Sequence, residues 1–220
     1  MTIEQTQRIG RLRRSGYGST VEAFLAASPA EVLGCLTSAS AFSVEQSQAF
    51  AWRGSIEALR QALCELAQPG SIYLEFDIPR LGRRVDAIVV LGHIVFVVEF
   101  KVGASQFLAD DLDQVVDYAL DLKHFHEPSH SAPLVPILVA TEAPAQLILI
   151  SPDPTVEGLY APVSCNAECL GDVFRHALSF APDEPIDGNA WANGRYRPTP
   201  TIVEAALALY ARHSVADISR

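Results

Sequence analysis

Long apolar runs are missing from this sequence. No stretch approaches the roughly 20 residues needed to span a bilayer, and Met1 to Arg14 holds no apolar block between its charges and a cleavage site. A cytoplasmic chain with no membrane partner is therefore expected. Cysteine is sparse as well: Cys35, Cys64, Cys165 and Cys169 are scattered, and only the last two are close, at a C-x-x-x-C spacing without a second pair. That pattern argues against a zinc site or a disulfide framework and for free, partly buried thiols. Positive charge is also short. The formal net charge is -10, which counts against simple electrostatic capture of a polyanion. Lysine occurs only at Lys101 and Lys123, although arginine is plentiful. Arg8, Arg11, Arg13 and Arg14 cluster at the start and Arg80, Arg83 and Arg84 in the middle, so an acidic chain can still present a basic groove. There is no internal repeat and no low-complexity tract.

What is present is a folding chain of 220 residues, 49% hydrophobic and 19% charged, long enough for one main fold with additions. The first fifty residues read as short helices: Ser28-Pro29-Ala30-Glu31 is a capping box with proline at the first helical position, and Ser43-Val44-Glu45-Gln46 is a second. From Ser55 the positions Ile56, Leu59, Leu63 and Leu66 share a helical face, ended by Pro69-Gly70. Strand patterns follow at Ile72 to Ile78, Arg84 to Leu91 and Ile94 to Val102. Asp110 to Phe125 returns to helical period with Leu112, Val115, Val116, Ala119 and Leu122 inward, and Pro133 to Thr141 reads as a buried strand. Gln146 to Ile150 and Gly158 to Val163 are further strand candidates, and Ala167 to Phe180 is a helix entered through Asn166. Pro182 to Pro200 is rich in Pro, Gly, Asn and Asp and reads as a linker before a last amphipathic helix at Ile202 to Tyr210. The expected fold class is α/β, divided into a helical extension (1–54), a core with extra strands (55–181) and a linker with a C-terminal helix (182–220). That last helix has no obvious partner, so a piece of a longer protein is expected.

The chemistry concentrates between Arg84 and Lys101. If Gly92-His93 makes a two-residue type II′ turn, Leu91 pairs with Ile94 and Asp86 faces Glu99. Carboxylates about 4.5–5.5 Å apart at Cβ repel unless a cation lies between them. Val97, Glu99 and Lys101 share one strand face, which brings the ammonium beside the same acids. Hard oxygen ligands of this kind hold Mg²⁺ or Mn²⁺ for phosphodiester hydrolysis, with Lys101 orienting water or stabilising charge on the phosphate. Arg80, Arg83 and Arg84 read as phosphate contacts or as a solvated turn. Register sets Arg84 opposite Lys101, a repulsion that a bound phosphate would relieve. His124, His126 and His130, near the end of a helix, read as solvated capping residues rather than metal ligands.

The run R-V-D-A-I-V-V-L-G-H-I-V-F-V-V-E-F-K, within a helix, three strands, helix, strand order, resembles the PD-(D/E)XK nuclease superfamily and its restriction-endonuclease-like core. Gln114-Val115-Val116-Asp117-Tyr118 looks like the Q-x-x-x-Y element of its RecB-type branch. More narrowly, L-E-F-D-I-P-R-L-G-R-R-V-D, V-E-F-K-V-G-A, D-Y-A-L-D-L-K-x-F-H and P-I-L-V-A-T are similar to the N-terminal region of bacterial Schlafen-like (group 3) DNA/RNA helicases, from about Trp52 onward. The resemblance implies a Mg²⁺- or Mn²⁺-dependent nuclease with Asp86 and Glu99 as ligands, Lys101 beside the attacking water, and Gln114 and Tyr118 positioning substrate. A further first-helix acid is implied, for which Glu57 or Glu65 could serve, with Glu75 on the first strand as a rival for a metal role. DNA or RNA, a helicase domain in a longer chain and a second copy in a homodimer are the implied partners. Val85 stands where the family's proline would be, and the sequence has no G-x-x-x-x-G-K-[ST], hence no Walker-type ATP site. Three readings remain: a nuclease, a module of the same fold that binds without cutting, and a scaffold whose acids form salt bridges.

Overall fold

Three consecutive segments with apolar side chains on both faces have to be covered twice, and the architecture follows from that requirement. The structure is a computed structural model that describes residues 14–40, 43–66, 68–146, 150–151, 154, 158–180, 184–204 and 207. Its elements run β1 (Ser15–Thr20), α1 (Val21–Ala26), α2 (Pro29–Ala39), α3 (Gln46–Cys64), β2 (Gly70–Ile78), β3 (Arg83–Leu91), β4 (Ile94–Lys101), α4 (Ala109–Phe125), β5 (Leu134–Ala140), β6 (Val163–Cys165), α5 (Leu170–Leu178) and α6 (Gly188–Ala192). The fold is α/β around a six-stranded mixed sheet in the order β1-β2-β3-β4-β5-β6. The first four strands pair antiparallel, whereas β5 joins β4 in parallel after the α4 crossover and β6 joins β5 in parallel. Helices α1, α2, α3 and α5 supply the core on one face, centred on Phe24, Ile56, Leu59, Phe96 and Phe174. On the other face α4 and α6 cover Phe76, Ile88, Val95 and Val97 with Val115, Leu122 and Trp191. Among the described residues no helix is long and apolar enough to cross a membrane.

The N-terminal region differs from the expected all-helical extension. The Ser28 capping box is present, with the Ser28 amide donating to Glu31 at 2.7 Å, and it starts α2. Ahead of it, Ser15–Thr20 is an edge strand of the main sheet, in register from Ser15↔Phe76 to Thr20↔Ser71. The stretch Ser-Gly-Tyr-Gly-Ser-Thr carries no apolar alternation; its glycines let the strand lie close to Leu36 and Tyr73, each 2.9 Å from where a Cβ would stand. Helix α3 starts at Gln46, well before Ser55, because Trp52 belongs to its inner face. The Arg8, Arg11 and Arg13 part of the first arginine cluster lies outside the described residues, as do most of the Gln146 to Ile150 segment and most of the final helix beyond 204.

The segment expected to be a linker is part of the fold. Helix α6 inserts Trp191, 1% exposed, into the α4 face. Beyond it the Glu127 amide donates to the Arg195 carbonyl at 2.8 Å and the Thr199 amide to the His124 carbonyl at 2.9 Å, tying 195–199 to the end of α4. His126 is also corrected by this packing. It is fully buried, with Nδ1 2.8 Å from Ser129 Oγ and its ring edge-on to Trp191. Burial first, then the positive fields of Arg14 and His130, push its pKa down to about 3.

Because the folded value lies below the unfolded 6.5, the unfolded chain takes up this proton first, so the contribution is complete above 6.5 and lost as pH falls toward 3. Between about pH 7 and about pH 5 the native chain should lose about 2 kcal/mol more stability than His126→Phe, measured by denaturant titration. Equal losses would show that His126 is not held neutral.

Candidate functional site

The turn at Gly92-His93 sets the register of the central hairpin. Gly92 has φ 54, the positive angle required at the first position of a type II′ turn, and Leu91 pairs with Ile94. The pairing runs outward to Ala87↔Val98, so Asp86 and Glu99 are next in line. On the other side, the ladder of Leu74↔Ala87 and Phe76↔Val85 brackets Glu75 and Asp86 as opposites. Three carboxylates therefore stand in a row across β2, β3 and β4.

Local backbone geometry divides the row. Glu75 has φ 52, the left-handed region, inside a strand. Leu74 belongs to the core under α3 whereas Phe76 and Ile78 belong to the core under α4, so the in-out alternation slips by one at Glu75. The same slip occurs opposite it, between Val85 and Ala87. Such a conformation costs on the order of 1–3 kcal/mol and must be held in place by its surroundings. Glu75 Oε1 accepts from Trp52 Nε1 at 2.7 Å, and its Oε2 lies 3.7 Å from Arg84 Nη1. Where the β3–β4 ladder ends, the Phe100 amide donates instead to Asp86 Oδ2 at 2.8 Å.

The remaining groups meet on the α4 side. Lys101 Nζ lies 3.2 Å from Glu99 Oε1, 3.1 Å from Gln114 Oε1 and 3.2 Å from Asp111 Oδ1. An ammonium can only donate, so the carbonyl oxygen of Gln114 must face it. Gln114 Nε2 is then directed to Glu99 Oε1 at 2.9 Å and to the Tyr118 hydroxyl oxygen at 2.8 Å, which leaves the phenolic proton free to donate elsewhere. Glu99 is 5% exposed, and its second oxygen, Oε2, is buried with no well-formed hydrogen bond among the described residues, the Asp86 backbone amide being near the carboxylate without completing one. Leaving such an acceptor bare costs about 1–3 kcal/mol.

Charge follows from this geometry. Burial, then the Glu99 carboxylate and more weakly Glu75, hold Asp86 well above the usual aspartate range despite the Phe100 hydrogen bond. Burial also raises Glu99 against the opposing pull of Lys101 and, more weakly, of the Asp86 backbone amide. Burial works against the Lys101 ammonium, but Glu99 and Asp111 outweigh it and raise its pKa. Burial raises Tyr118, with Gln114 opposing.

Asp86, Glu99, Lys101, Gln114 and Tyr118 are thus brought together. Glu57 and Glu65 are not: both are exposed on or just after α3, and Glu65 pairs with Arg175 at 3.3 Å. Glu75 is in the row, yet it is turned toward Trp52. Arg84 leans to Glu75 instead of facing Lys101, since β3 and β4 have parted by that level. Arg83 is exposed and its field reaches Tyr118. Arg80 is held by Asp121, Nε to Oδ2 at 2.9 Å. Asp111 and Trp52 were not singled out from sequence; Asp111 stands three residues before Gln114 on α4, a helical spacing that could have revealed it.

Among the described residues no group of three or more His, Cys, Asp and Glu side chains is gathered as a ready cation cage. The two carboxylates Asp86 and Glu99 nevertheless fit a small hard cation. Mg²⁺ uses one or two carboxylates and keeps the rest of its shell for water and phosphate, and Glu99 Oε2 is a buried acceptor without a well-formed hydrogen bond among the described residues.

For Asp86 the raised folded pKa means a contribution that is fullest below 3.8 and is lost as pH climbs through the folded value. Without divalent ions at neutral pH, Asp86→Asn, which keeps an acceptor for the Phe100 amide, should melt above the native chain. Each kcal/mol gained corresponds to about 2–4 °C at this size, and the gap should close as pH is lowered toward 3.8. An unchanged or lower melting temperature would contradict the charge reading.

Set beside models of protein families, curated proteins and solved structures, the chain matches none, so the chemistry of the site rests on these side chains.

Proposed function

We propose that this chain is a divalent-metal-dependent nuclease-like domain of the PD-(D/E)XK type that hydrolyses phosphodiester bonds of DNA or RNA. The observation that carries the reading is the bare, buried Glu99 Oε2 beside the Asp86 carboxylate, on the strand face that also bears Lys101. Asp86 and Glu99 would hold Mg²⁺ or Mn²⁺. When bound, the ion supplies a Lewis acid that lowers the pKa of water and neutralises charge on the phosphate. Lys101 orients the attacking water or meets the charge that develops on the phosphate. Gln114 links Lys101, Glu99 and Tyr118 into one connected unit, so that a shift of any of them is resisted by the other two. The free phenolic proton of Tyr118 is placed to donate to a phosphate oxygen. The order α3, β2, β3, β4, α4, β5 supports the same assignment.

One observation favours a second reading, a module of this fold that binds nucleic acid, or a partner protein for an attached helicase, without cutting. The Lys101 ammonium is already engaged, by hydrogen bonds to Glu99 and Gln114 and an ion pair with Asp111. Together with the net charge of -10, this describes a site that is quiet until a ligand rearranges it.

Labelled single- and double-stranded DNA and RNA, incubated with Mg²⁺ or Mn²⁺, should be cut by the native chain. Cleavage should fall by at least about a hundredfold in both Glu99→Ala and Lys101→Ala, the scale of losing one acid-base or electrostatic group. If no substrate is cut yet calorimetry detects Mg²⁺ binding that Glu99→Ala removes, the binding module is correct. Neither cutting nor metal binding would leave the salt-bridge scaffold.

A further inference from the structure

Helix α4 carries more than the proposed catalytic groups. Asp121 lies seven residues beyond Gln114, about 10 Å further along the same side of the helix, a span of about three stacked nucleotides at ~3.4 Å per strand step. At that point the β2–β3 turn and the 195–199 segment close over the end of α4 and form a cleft of about 340 Å³. Its walls are Pro79, Arg80, Phe125, Tyr196, Arg197 and Pro198.

The cleft has the composition of a nucleotide site. The Arg80 guanidinium carbon lies 3.9 Å from the centroid of the Phe125 ring, and Asp121, itself 5% exposed, fixes Nε from behind. A planar cation backed by an aromatic ring and anchored at one nitrogen is a stacking platform for a base. Its side chain remains 56% exposed. Arg197 is exposed on the opposite wall, held there by its backbone amide, which donates to the Phe125 carbonyl, and its charge can meet a phosphate. Arg83 opens β3 just beyond the turn that carries Arg80, and its charge reaches Tyr118. On a chain of net charge -10, this concentration of guanidinium groups is complementary to a polyanion.

The geometry points to a subsite at Arg80, Phe125, Tyr196 and Arg197 that takes one unpaired nucleotide of a single strand lying along α4, with its base against Arg80 and its phosphate at Arg197. The assignment builds on the nuclease reading, since the strand it holds is the one presented to Asp86 and Glu99. A single strand is required because a base within a duplex presents no free face to the platform.

The test is binding in EDTA, where cutting cannot interfere. Fluorescence anisotropy with labelled oligothymidylate, oligouridylate and a duplex of equal length should show saturable binding of a single strand in preference to duplex, and the thymidylate and uridylate arms decide between DNA and RNA. Arg197→Ala, whose side chain makes no hydrogen bond within the described residues, should weaken that binding about tenfold and reduce the logarithmic salt slope by about one. Arg80→Ala should weaken it by about tenfold or more, and Arg80→Lys should not restore it, because an ammonium offers no stacking plane. Arg175→Ala, on α5 across the sheet, should bind as the native chain does. Failure of the native chain to bind single strands, preference for duplex, or native-like binding by Arg197→Ala would overturn the subsite. Cleavage that depends on Glu99 but is indifferent to Arg80 and Arg197 would leave the nuclease reading standing alone; binding without cleavage would do the reverse.

Discussion

Like charge in a dry sheet is the constraint from which the rest of this site follows. Glu75, Asp86 and Glu99 fall at successive positions across three strands, where opposite Cβ atoms come within about 4.5–5.5 Å. Glu99 is buried and Glu75 and Asp86 are only partly exposed, so water screens them weakly. The chain separates them by spending backbone regularity. A positive φ rotates Glu75 to the α3 side, where Trp52 and Arg84 receive it. The β3–β4 ladder stops one pair short of the acids, and the amide it frees at Phe100 becomes the partner of Asp86. Among the described residues Glu99 is matched on Oε1 only, so part of the repulsion persists.

Helix α4 organises what the sheet leaves unfinished. Asp111, Gln114, Tyr118 and Asp121 form one polar stripe beside the apolar stripe of Val115, Ala119 and Leu122 that fixes the helix to the sheet. Packing of the second stripe sets the positions of the first. The polar stripe then holds Lys101 from above, Glu99 through Gln114, and the β2–β3 turn through Arg80. Placing Asp110 and Asp111 in the first turn also suits the helix dipole. One helix thus sets the positions of Lys101 and Glu99 on β4 and of Arg80 on the β2–β3 turn, so that side chains from separate elements are fixed by a single rigid body.

The central hairpin was legible because a two-residue glycine turn leaves only one register, and that register alone brings Asp86 and Glu99 together. The helices and strands from Gly70 to Ala140 were legible from period and length. Strand β1 was not, since Ser-Gly-Tyr-Gly-Ser-Thr has no alternation and joins the sheet through backbone pairing with an already formed β2. The 184–199 segment reads as linker from its prolines and glycines, although the buried Trp191 anchors it to the α4 face. Glu57 enters only through the family resemblance; the buried face of α3, Trp52, Ile56, Leu59 and Leu63, turns it outward, as the helical period from Ile56 already implies. The rotation of Glu75 has no sequence signal, because a positive φ at a non-glycine is imposed by tertiary neighbours.

The account turns on whether Asp86 and Glu99 together hold a divalent cation. Crystals of the native chain grown with Mn²⁺ and measured on both sides of the manganese absorption edge would locate the ion directly. The account predicts an anomalous difference peak between the Asp86 and Glu99 carboxylates, lost in crystals of Glu99→Ala. Manganese found only elsewhere, or no ordered ion at saturating concentration, would contradict it.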